Sequence, residues 1–94
     1  MTNRAEFDGA RKAFGERLRS MRKEQKMTVR GFALMVGLSK DYIIDLEYGR
    51  KSPTFDTIVK ISAGLDVSPS ELLRGIGEPP SNGNSAPEYY HTKL

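Results

Sequence analysis

The chain is 94 residues long, 37% hydrophobic and 29% charged, with no cysteine and a formal net charge of +3. That length suits one small domain with tails and excludes two domains with independent cores. Without cysteine there is no disulfide or thiolate chemistry, and a lone His91 in a polar segment leaves no donor set for a metal, so neither metal nor cofactor is expected.

Residues 1–9 are polar apart from Ala5 and Phe7 and have no apolar run of signal-peptide length, so this segment is expected to fray. Phe7, Ala10, Phe14, Leu18 and Met21 then recur at steps of three or four, the buried stripe of a first helix. Gly9 and Gly15 each weaken its early turns by about 1 kcal/mol relative to alanine, which leaves its start anywhere between Phe7 and Phe14. Its end falls near Gln25, because Thr28 is a good N-cap for the next helix. Arg11, Lys12, Arg17, Arg19, Arg22, Lys23 and Lys26 face only Glu16 and Glu24 in this region. With a sequence pI of about 9.3, that bias fits a polyanionic partner.

The stretch 28–49, TVRGFALMVGLSKDYIIDLEYG, reads as two short helices held at a sharp angle by a glycine turn. Phe32, Ala33 and Val36 face inward on the first, Ile43 and Leu46 on the second. Gly37 is free to take the left-handed conformation that closes a helix, Leu38 plugs the corner, and Ser39 caps the helix that follows. The result is a candidate helix-turn-helix, a shape whose second helix suits a DNA major groove. Its own charge is slightly negative, Arg30 and Lys40 against Asp41, Asp45 and Glu47, so attraction to phosphate must come mostly from the flanks.

Beyond Gly49, Arg50-Lys51-Ser52-Pro53 forms an exposed basic loop, and Thr54 caps a fourth helix whose period runs through Phe55, Ile58, Ile61 and Leu65. Asp56 suits the positive end of that helix dipole. Ser68-Pro69-Ser70-Glu71 reads as a capping box with proline at the first helical position, opening a fifth helix with Leu72 and Leu73 inward. No segment alternates with the period of a strand, and no run of about 20 apolar residues could cross a membrane. The reading is an all-α domain over residues 10–74. Residues 75–94 form a flexible tail rich in Gly, Pro, Ser and Asn, with Tyr89-Tyr90 either exposed or docked on the domain or a second subunit. A soluble, cytoplasmic protein is expected.

The helix-one segment FGERLRSMRKEQ, Ala33, Gly37, the run YIIDLEYGRKSPTFDTIVKI and the closing LDVSPSELL together resemble the helix-turn-helix domain of the phage repressor and Cro superfamily, the XRE family. The likeness covers about residues 14–73 and includes Glu-x-Gly-Arg-Lys-x-Pro. It implies a five-helix lambda-repressor-like fold with the helix-turn-helix at helices two and three. It also implies a structural ion pair between Arg22 and Glu47. Base reading falls to Ser39, Lys40, Asp41, Tyr42, Ile44 and Asp45, and phosphate binding to Thr28, Tyr48, Arg50, Lys51 and Thr54. Because Ile43 and Leu46 belong to the core, Lys40, Asp41, Ile44 and Asp45 form the opposite face. Lys40 can donate to guanine or phosphate, Asp41 or Asp45 can accept from cytosine N4, and Ile44 can meet a thymine methyl. One departure stands out: where the family commonly has a phosphate-clamping glutamine, this chain has Val29.

The expected function is sequence-specific binding of double-stranded DNA by a small regulator, a homodimer on a palindromic site. The alternative is a protein-interaction module or antitoxin that keeps the fold but binds DNA weakly, as Val29, Asp41 and Asp45 would permit. No acid–base pair, nucleophile or phosphate loop suggests an enzyme.

Overall fold

The computed structural model describes residues 7–78; the polar start at residues 1–6 and the tail from residue 79, with Tyr89-Tyr90 and His91, lie outside the described part. All its regular structure is helical: α1 (Asp8–Glu24), α2 (Val29–Val36), α3 (Lys40–Glu47), α4 (Phe55–Leu65) and α5 (Pro69–Leu72). Asp8 and Gly9 are already helical, and Ile76 beyond α5 still packs against the core.

Local chemistry explains where α2, α3, α4 and α5 begin. Thr28, Ser39, Thr54 and Ser68 each have extended backbone, and each side-chain oxygen accepts the N–H three residues on. Such a cap contributes about 1 kcal/mol. Gly37 ends α2 at φ 73°, and Leu38 N–H reaches back to the Ala33 carbonyl at 3.0 Å. A methyl group on Gly37 would meet nothing, so glycine is selected there by backbone conformation rather than by space. Lys26 and Asp66 take the same left-handed conformation after α1 and α4 without being glycine.

Helix α1 packs on α3, α2 bridges α3 and α4, and α5 closes against α4. Their inner faces supply one core of Phe14, Leu18, Phe32, Ala33, Val36, Ile43, Leu46, Ile61, Leu65 and Leu72. Gly15 is buried at the α1–α3 crossing, where an added Cβ would collide with the Leu46 and Glu47 carbonyl oxygens. The residue that weakens α1 by propensity therefore permits the approach of the next-but-one helix.

Two features of the C-terminal half differ from the sequence reading. Phe55 is 77% exposed, and the inner stripe of α4 contains Thr57 and Ser62 beside Ile61 and Leu65. By the helical period Phe55 lies within about 20° of the buried Ser62, so its exposure follows from its place as the first residue of α4 rather than from its face. The expected capping box is only half formed: Ser68 accepts the Glu71 N–H, but the Glu71 carboxylate binds Arg17 and Arg74 instead of reaching back. Arg17 also donates to the Glu71 and Leu72 carbonyls and so fastens the short α5 to α1.

Candidate nucleic-acid interface

Helix α3 is held from behind by Ile43 and Leu46, both fully buried. Its outer side carries Lys40 and Asp41, both exposed, and the half-buried Ile44 and Asp45. Ser39 precedes them, its oxygen accepting the Tyr42 N–H at 3.1 Å. Tyr42 is turned toward α4: its ring is partly buried against the core, and its hydroxyl lies 3.3 Å from Thr57 Oγ1.

An ion pair joins the buried side of α3 to α1. Arg22 Nε donates to Glu47 Oε2 at 2.7 Å and Arg22 Nη2 to Glu47 Oε1 at 2.9 Å, with both side chains buried. Arg22 Nη1 donates to the Met27 carbonyl at 2.8 Å, which ties the α1–α2 connection into the same unit. The hydrogen bond to Glu47, more than its charge, raises the Arg22 pKa against the opposing effect of burial.

At the C-terminal end of α3 the basic loop folds back. Arg50 and Lys51 both pair with Asp45, at 3.3 and 3.5 Å. The Arg50 guanidinium lies over the Tyr48 ring, 4.8 Å from its centroid, and the Lys51 ammonium stands 5.8 Å from that of Tyr42. Thr28 and Thr54 are spent as acceptors on the Gly31 and Thr57 N–H groups, and Thr54 also donates to Thr57 Oγ1. The first turn of a helix still offers backbone N–H groups to an anion. Val29 is packed against the core, whereas its neighbour Arg30 is exposed.

The helix-turn-helix model HTH_3 matches residues 18–72, more than half of the chain, and takes in α2 and α3 whole. The chain belongs to the HTH_3 (XRE) helix-turn-helix family. Among relatives of this family it is 34% identical over 64 residues to the control protein C.MunI of Mycoplasma sp., covering 67% of this chain and 86% of that one. The restriction-modification controller C.AhdI of Aeromonas hydrophila superposes with a TM-score of 0.64 at 31% identity, over 65% of this chain and 92% of that one. The P22 c2 repressor, solved with a synthetic operator, gives 0.62 at 34% identity, over 66% and 94%. The match spans only about half the length of several other curated relatives in the family.

Two elements of this HTH_3 domain had no signal in the residue pattern. The Arg17 clamp is one. The other is Gln25, whose Nε2 donates to the Leu65 carbonyl at 2.8 Å and so closes the C-terminus of α4. Both partners lie far along the chain from their donors. Among the described residues no group of acidic, histidine or cysteine side chains could hold a metal, and no helix is long and apolar enough to cross a membrane.

Proposed function

We propose that this chain binds double-stranded DNA sequence-specifically as a small transcriptional regulator of repressor or controller type. It acts in the cytoplasm as a homodimer on a palindromic operator and catalyses no reaction. The observation that carries this reading is the two-sidedness of α3: Ile43, Leu46 and the Arg22–Glu47 pair hold one side, leaving Lys40, Asp41, Ile44 and Asp45 for the groove. Ser39 begins that face, and Tyr42 supports it from the flank. Arg50 and Lys51 anchor phosphates beside Tyr48, while Thr28 and Thr54 present the first turns of α2 and α4 to the backbone. The operator-bound repressor and the controller among the similar structures support this assignment.

Selection from random duplexes tests it. The expected result is an inverted-repeat motif with half-sites about 34–36 Å apart, bound by a dimer with an affinity that falls steeply as salt rises. Failure to enrich any motif at low salt would overturn it.

The second reading, a protein-interaction module or antitoxin with weak DNA binding, is favoured by the side-by-side exposure of Leu34 (78%) and Met35 (54%) on α2. Co-purification of a stoichiometric partner without motif enrichment would select that reading.

A further inference from the structure

The geometry points to Asp45 as a carboxylate with two alternative sets of partners, which couples phosphate binding to base reading. In the free protein it holds the Arg50 and Lys51 charges. On the operator it yields both cations to phosphates and takes an amino group at a base edge. This inference rests on the DNA-binding reading and deepens it.

The carboxylate is built for exchange. Its bonds to Arg50 and Lys51, at 3.3 and 3.5 Å, are long beside the 2.7 Å contact of Arg22 with Glu47. Both cations are more than half exposed, so solvent screens the pairs and weakens them. Neither cation needs Asp45 to stay in place, because Tyr48 lies under Arg50 and Tyr42 beside Lys51. The loop also keeps its course when the side chains part, since the Arg50 N–H donates to the Asp45 carbonyl at 2.9 Å.

Asp45 differs from its partners in being only 27% exposed. Once the cations leave, it is a half-buried anion beside a polyanion, and it requires a donor. A cytosine N4 amino group in the major groove is a donor of the right kind. At a site without one, moving Arg50 and Lys51 to phosphate strands the carboxylate. Asp45 thus acts as a specificity-determining residue by opposing phosphate binding wherever the base edge is wrong.

The test compares the full chain with Asp45→Asn on the selected operator and on a random duplex of equal length, across a salt series. On the random duplex, affinity near 0.1 M salt is expected to rise about five- to tenfold and the log–log salt slope to steepen by about one. Operator affinity should rise less, so the ratio between the two falls, and Asp45→Glu should retain most of that ratio. An unchanged or lowered random-duplex affinity, or an equal rise on both duplexes, overturns the inference. If Asp45→Asn fails to fold, Asp45→Ser is read by the same criteria. Wild-type protein that binds neither duplex at low salt would instead remove the DNA-binding reading, and this inference with it.

Discussion

Arg22 and Glu47 meet through two short hydrogen bonds at the crossing of α1 and α3, with both side chains buried. Truncating either partner strands a charge among apolar side chains. Arg22→Ala or Glu47→Ala is expected to destabilise the domain by about 3–5 kcal/mol, a large share of the about 5–15 kcal/mol that stabilises a folded domain. Replacing both by apolar residues of similar volume should recover much of the loss. Urea unfolding of the three variants checks this; a single variant with unchanged midpoint would show that the pair does not hold the helices.

Gly9 and Gly15 lie on the same helix and should respond oppositely to alanine. A Cβ on Gly9 meets nothing within 4 Å, so Gly9→Ala is expected to stabilise by about 0.5–1 kcal/mol through helix propensity. At Gly15 it would strike the α3 carbonyls, and Gly15→Ala should destabilise by about 1–3 kcal/mol despite the better propensity. Thermal melts of the two variants moving in the same direction would contradict the close α1–α3 approach.

Lys26 at φ 60° and Gly37 at φ 73° hold the same left-handed conformation with opposite chemistry. Lys26→Gly relieves the clash that a side chain suffers there and is expected to stabilise by about 0.5–1 kcal/mol, net of the greater freedom of glycine in the unfolded chain. Gly37→Ala should lose about 1 kcal/mol from backbone conformation alone. Differential scanning calorimetry should place the two melting temperatures on either side of wild type.

The two groups of interface residues should separate by what their loss does to DNA binding. Arg50→Gln or Lys51→Gln is expected to weaken operator binding and lower its salt slope by about one without changing which base pairs are preferred in the rest of the site. Either should cost less on a random duplex, where Asp45 retains the cations. Lys40→Ser or Ile44→Ser should instead change preference at particular base pairs by about 1–3 kcal/mol. Competition binding against single-position operator variants tells these patterns apart, and uniform weakening by the α3 substitutions would mean that another face reads the bases.

What the sequence by itself determined is what interactions within a few residues decide. Thr28, Ser39, Thr54 and Ser68 mark four helix starts because each hydroxyl reaches an N–H three residues away. Gly37 marks the turn because only its own dihedral is at issue, and the spacing of Phe14 and Leu18, or Ile43 and Leu46, records one inward face. Those local facts, with a family resemblance carried by motifs in register, were enough for the five-helix fold and for the outward face of α3.

Tertiary structure decided the rest, because it joins groups that no local period relates. Gly15 reads as a propensity defect until α3 crosses it, and Phe55 fits the stripe of α4 but, as the first residue of that helix, is left uncovered by the fold. Arg17 is an anonymous cation until Glu71, 54 residues on, meets it. Asp45, Arg50 and Lys51 stand close in sequence, yet their sharing of one carboxylate depends on a loop that doubles back past Gly49 at φ 74°. A helix propagates information over about four residues, one turn; a carboxylate between two cations and two aromatic rings exists only once the chain has folded.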